Sequence, residues 1–205
     1  MSPEVFQTIK SMSMKNLEVQ IAVQCAPLLT GIKISNLLIV QKENARYVEE
    51  MFQGSEIFYS ILCKTNKKTT FLLYRLNELS NYLSNKEVRR LLAVLGHKNH
   101  TLSELFSSFR IQYEAYMKCG GEFPHELGLL LGYPVEDVYG FIANKGQNFL
   151  YAGYWKVYAN FSEKLKMFQR YNQAKEITIQ LVSSGAGILE IVDMFGKNKL
   201  QQAAM

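Results

Sequence analysis

Residues 57–74 read IFYSILCKTNKKTTFLLY, and the fold class turns on this stretch. Ile57 to Cys63 and Thr69 to Tyr74 are β-rich apolar runs on either side of the polar Lys64-Thr65-Asn66-Lys67-Lys68. That pattern predicts a β-hairpin with a basic five-residue turn. Upstream, Ile32 to Val40 is apolar and branched after Gly31, which suits another strand, and Glu43 to Gln53 places Ala45, Val48, Glu49 and Phe52 at helical spacing. Downstream of Arg75 the apolar period changes from two toward 3.6. Asn77 to Leu83 and Lys86 to Leu95 read as short helices, the second stopped by Gly96. Thr101 caps a helix whose stripe is Leu102, Leu105, Phe106, Phe109, Tyr113 and Tyr116, ended by Gly120-Gly121. After Pro124 come two helices around Gly132-Tyr133-Pro134, an aromatic segment, and a long helix from about Ser162 to Val182. Gly185-Ala186-Gly187 then reads as a helix-to-helix turn before Ile188 to Phe195.

Strands early and helices late predict an α+β fold. A small antiparallel sheet, the hairpin plus one or two strands, occupies the N-terminal half and packs with a mostly helical C-terminal half. The 205 residues contain no repeat, linker or low-complexity tract, so one α+β domain is expected over 21–182. An extension (1–20) precedes it, and a C-terminal helix and tail (183–205) follow.

Apolar residues at 48% and charged residues at 20% fill one sizeable core and exclude wholesale disorder. No apolar run approaches the roughly 18 residues of a membrane-spanning helix, and Met1 to Lys15 carries no signal-like block. A cytoplasmic location without membrane association is expected. Three widely spaced cysteines, Cys25, Cys63 and Cys119, read as reduced thiols. The net charge of +5 comes from residues 1–100, with 13 basic against 8 acidic side chains. Residues 101–137 carry 2 basic against 6 acidic. No specific nucleic-acid partner is expected from this pattern, beyond weak salt-sensitive contact through Lys64 to Lys68.

The most distinctive text is Phe123-Pro124-His125-Glu126-Leu127-Gly128, Leu131-Gly132-Tyr133-Pro134, Asp137-Val138, Gly140-Phe141-Ile142, Gly146 and Gly153-Tyr154-Trp155-Lys156-Val157-Tyr158. With Cys25-Ala26-Pro27, Gly31-Ile32-Lys33 and Asn36-Leu37, these segments resemble an uncharacterised bacterial family, domain of unknown function 3793. The resemblance spans roughly Gln24 to Tyr171 and implies a bacterial cytosolic protein with no established activity. Its pattern has a histidine ahead of Cys-Ala-Pro and several cysteines just ahead of Trp-Lys-Val-Tyr. This chain departs from it with Gln24 at the first place and Phe149, Tyr151 and Tyr154 around the second.

Several segments could carry chemistry. Glu126 to Gly146 has the spacing of a helix-turn-helix, but its second helix begins Val135-Glu136-Asp137 with no arginine, and acidic side chains there repel a phosphate backbone. A structural helix pair is the cheaper reading, and a DNA-binding regulator is kept as an alternative. Cys25, which the resemblance includes, is the candidate nucleophile of a hydrolase or transferase, with His125 as base and Glu126 as its orienting carboxylate. A small buried thiol explains Cys25 as well. His97-Lys98-Asn99-His100 reads as a solvated turn, and no metal site is expected from it. Phe149, Tyr151, Tyr154, Trp155, Tyr158 and Phe161 could form a platform for a planar group beside Lys156, although 151, 154, 155 and 158 also fit a helical core stripe. The favoured reading is a binding protein for a small molecule or a protein partner, with a site at His125, Glu126, Tyr133, Trp155, Lys156 and Tyr158. The sequence names no cofactor and sets no oligomeric state.

Overall fold

The described chain opens with a helix that the periodicity argument does not assign, α1 (Leu17–Leu29). Val19, Ile21, Ala22, Cys25, Ala26, Leu28 and Leu29 are all buried, so apolar residues surround its axis and no amphipathic stripe marks it. A computed structural model describes residues 17–98 and 101–203; most of the expected N-terminal extension, residues 1–16, lies outside them, as do Asn99 and His100. Strand β1 (Ser35–Gln41) follows, then a 3-10 turn (Lys42–Asn44) and α2 (Ala45–Phe52). The strand starts three residues later than the Ile32 expected because the Ile32 and Lys33 amides both donate to the Pro27 carbonyl, at 3.0 and 2.9 Å.

The hairpin is β2 (Phe58–Lys64) and β3 (Lys68–Tyr74). Its connection is shorter than expected, Thr65 to Lys67, because Thr65 Oγ1 accepts from the Lys68 amide at 2.9 Å and closes the turn. The sheet has order β1-β3-β2 and is antiparallel throughout. On β3, Phe71 and Leu73 face a core shared with α1, while Leu72 enters a second core on the opposite face. Burial on both faces explains why β3 reads as a continuous apolar run. A bulge between Ile61 and Cys63 turns both Leu62 and Cys63 into the second core.

Helices α3 (Leu76–Ser84), α4 (Lys86–Val94) and α5 (Leu102–Cys119) supply much of that second core. Thr101 and Glu104 form the capping box of α5, and Gly120 ends it at φ +68°. Then come α6 (Glu126–Leu130), α7 (Val135–Ala143), the short strands β4 (Tyr151–Ala152) and β5 (Lys156–Val157), α8 (Phe161–Ser183) and α9 (Ile188–Ala203). Helices α8 and α9 send Ile179, Val182, Ile188, Ile191 and Val192 into the α1 core. The fold is α+β, with the sheet in the N-terminal half and a mostly helical C-terminal half. Among the described residues no helix is long and apolar enough to cross a membrane.

The aromatic segment departs from the helical stripe: β4 and β5 pair antiparallel, Tyr151 opposite Val157. Left-handed backbone at Asn148 and Asn160, φ +56° and +52°, brackets the hairpin, and the Gly153 amide closes its turn on the Trp155 carbonyl at 3.0 Å. Burial then alternates, with Trp155 and Val157 inside and Lys156 half-buried.

Candidate functional site

The site grows from the corner between α6 and α7. Gly132 sits there at φ +69°, and a Cβ on it would stand 2.6 Å from Ile34 Cγ1, so both conformation and space require glycine. The Tyr133 amide returns to the Gly128 carbonyl at 2.9 Å, and Pro134 is the N-cap of α7. Gly128 lets the helices close, since a Cβ there would meet Val138 Cγ2 at 2.8 Å.

One turn into α7, Asp137 is buried and fully used. Its Oδ2 accepts from Trp155 Nε1 at 2.7 Å, and its Oδ1 accepts from the amides of Tyr158 (2.7 Å) and Ala159 (3.2 Å). One carboxylate thereby ties the β4–β5 hairpin to α7 and fixes the indole. Trp155 stacks on Tyr133 with centroids 4.7 Å apart and planes 27° from parallel, and Phe168 meets it edge-on at 4.6 Å. The neighbouring Glu136 turns to Lys164 of α8 at 2.6 Å. Both acids that open α7 are thus held by partners within the fold.

Between α6, α7 and the hairpin lies a cavity of about 390 Å³, walled by Leu37, Leu131, Tyr133, Val138, Phe141 and Trp155. His125 and Lys156 also line it. His125 lies between the rings of Phe123 and Phe141, 5.6 and 5.8 Å from their centroids. Lys156 Nζ donates to the Gly146 carbonyl at 2.8 Å and stands 4.8 Å from the Phe149 ring centroid. An ammonium has three donors, so Lys156 keeps capacity for a second acceptor.

Four of the sequence-derived site residues, His125, Tyr133, Trp155 and Lys156, therefore share one cavity. Glu126 does not line it: its carboxylate is buried and meets His97 Nε2 at 2.6 Å. That contact also corrects the solvated-turn expectation at His97, which is buried with Glu126. Tyr158 packs its ring against Gly140, where a Cβ would lie 2.4 Å from Tyr158 Cγ, and does not line the cavity either. Cys25 is fully buried in the α1 core, its thiol directed to the Leu37 carbonyl (3.8 Å) and approached by Asn36 Nδ2 (3.6 Å). Burial pushes this thiol up to about 12, so it is held as the un-ionised form. Asn36 also accepts from buried Lys33 Nζ at 2.8 Å, and burial lowers the Lys33 ammonium to about 8. Lys33 stands 5.3 Å from the Tyr133 ring centroid, behind the cavity wall.

Asp137 and Phe141 also line the cavity, although in the sequence Asp137 enters only within the family motif and as an acid unsuited to a phosphate backbone. The available signal was weak: an acid two residues into a helix is common for dipole reasons alone. Among the described residues no group of three or more His, Cys, Asp and Glu could hold a metal ion.

These features define an α+β protein with an aromatic-walled cavity at a helical corner. Residues 21–192 match the family described as Protein of unknown function (DUF3793), and the chain belongs to that family. No curated protein and no solved structure matches the chain.

Proposed function

We propose that the chain is a cytoplasmic binding protein for a small planar molecule carrying an anionic group. The observation that carries this reading is the Tyr133–Trp155 stacked wall in the same cavity as Lys156 and His125. Its volume of about 390 Å³ falls in the range of small-molecule sites, and apolar walls with a few placed polar groups are the common design of such sites. A flat ring gains most against aromatic faces, and Lys156 supplies the counter-charge. Cys25-dependent catalysis has less support, because a nucleophile must be a thiolate open to its substrate and Cys25 is neither exposed nor in contact with His125.

The test is to purify the native protein under mild conditions, denature it and identify the released molecules by mass spectrometry. A flat acidic compound released from wild type and from Cys25→Ser, but not from Tyr133→Ala or Lys156→Met, is expected. Release that depends on Cys25, or is unchanged in the cavity variants, contradicts the reading.

A further inference from the structure

A second concave region lies outside the aromatic cavity, between α3, α4 and the start of α5, with a volume of about 730 Å³. Lys86, Arg89, Arg90 and Lys98 line it, and none of its lining residues is acidic. Among the described residues none of these four cations has an ion-pair partner. The nearest acid of α5, Glu104, has its carboxylate engaged by the Thr101 amide and hydroxyl at 2.7 and 2.8 Å.

This concentration of charge is unfavourable in the empty protein. Lys86 and Arg90 are four apart on α4 and Lys86 and Arg89 three apart, so like charges face each other on one helix surface. All three fall in the first five residues of a nine-residue helix, where positive charge also opposes the helix dipole. A bound anion reverses both effects. Behind the cations the cleft has an apolar floor of Leu83, Leu92, Leu102 and Leu105. A ligand matching both parts carries phosphate groups on a body that is apolar or ring-like, and guanidinium forks suit phosphate oxygens.

We infer that this cleft is a second binding site, for the phosphate groups of a small organic phosphate. The inference stands apart from the aromatic cavity, since no residue lines both.

The probe is inorganic pyrophosphate, titrated calorimetrically into the full chain at low and at physiological salt. One equivalent is expected to bind wild type. Affinity should fall at least tenfold in Arg89→Gln/Arg90→Gln, by less in Arg89→Lys/Arg90→Lys, and not at all in Lys64→Gln/Lys67→Gln on the hairpin turn. All of these side chains except Lys64 and Lys67 border the cleft, and all are exposed, so the variants should fold, which unfolding midpoints check. Absence of binding, or equal loss in the hairpin variant, overturns the inference. So does a single-stranded oligonucleotide that binds 100-fold tighter than pyrophosphate and is lost with the same arginines, because that outcome assigns the cleft to nucleic acid.

Discussion

Lys33 places an ammonium in the interior with Asn36 as its hydrogen-bond partner and the Tyr133 ring nearby. Burial lowers it from 10.5 to about 8, so between these values the unfolded chain holds a proton that the folded chain has released. The penalty is complete below pH 8 and gone above 10.5, so this group makes stability rise with pH across that window, by roughly 3 kcal/mol in all. Cys25 and Tyr133 act in the opposite sense: burial raises the thiol from 9.0 and the phenol from 10.0 to about 12, and stability is lost as pH climbs past 9 to 10. Lys33→Met should therefore be more stable than wild type at pH 7, by up to about 3 kcal/mol, with an advantage that shrinks by pH 9. Urea unfolding at several pH values measures this, and a pH-independent difference contradicts it. The buried His97–Glu126 contact makes a second residue-scale prediction. Glu126→Ala should cost about 3 kcal/mol by leaving His97 without its carboxylate, and a cycle with His97→Leu should show coupling of about 1 kcal/mol or more. Additive effects in that cycle argue against the contact. The cavity residues stand out in sequence because they differ chemically from ordinary core residues. The inward turn of Glu126 does not, because its partner lies 29 residues away and is reached only through the fold.

At the scale of elements, the weight falls on the junction of α7 with the β4–β5 hairpin. Gly140 lies inside a helix, where Ala is ordinarily better by roughly 1 kcal/mol, but a Cβ there would stand 2.4 Å from the Tyr158 ring. Gly140→Ala should thus destabilise, by about 2 kcal/mol, a sign that helix propensity alone reverses. Thermal or urea unfolding decides it. Asp137→Ala removes three hydrogen bonds at once and should free the hairpin from α7, with faster amide exchange at Tyr158 and Ala159 as the readout. Helices α3 to α5 are legible in sequence because each has one buried face and so shows its period, and the first hairpin because β3, buried on both faces, forms a continuous apolar run beside a polar turn. Helix α1 is not, since the sheet and α8 bury it on all sides. The aromatic hairpin misleads in another way: positions 151, 154, 155 and 158 satisfy helical spacing, while the left-handed Asn148 and Asn160 that break the helix carry only a weak sequence signal.

In the whole molecule, the three-stranded sheet separates a core built on α1, α8 and α9 from one built on α3 to α7. The cavity draws its walls from β1 through Leu37, from the α6–α7 corner and from the second hairpin. Its shape therefore depends on contacts far apart in sequence. The chain has a single tryptophan, and Trp155 is in the cavity wall, only 8% exposed, so its emission reports directly on occupancy. The most direct test of the ligand-cavity claim is a titration of the full chain with 1-anilinonaphthalene-8-sulfonate, an anion with a planar naphthalene ring, following energy transfer from Trp155. Saturable transfer at one equivalent is predicted, weakened about tenfold or more by Lys156→Met and unchanged by Lys175→Met, a lysine over Tyr154 that does not line the cavity. Unsaturable transfer, or an equal effect of the two lysine variants, would contradict a ligand site at Tyr133, Trp155 and Lys156.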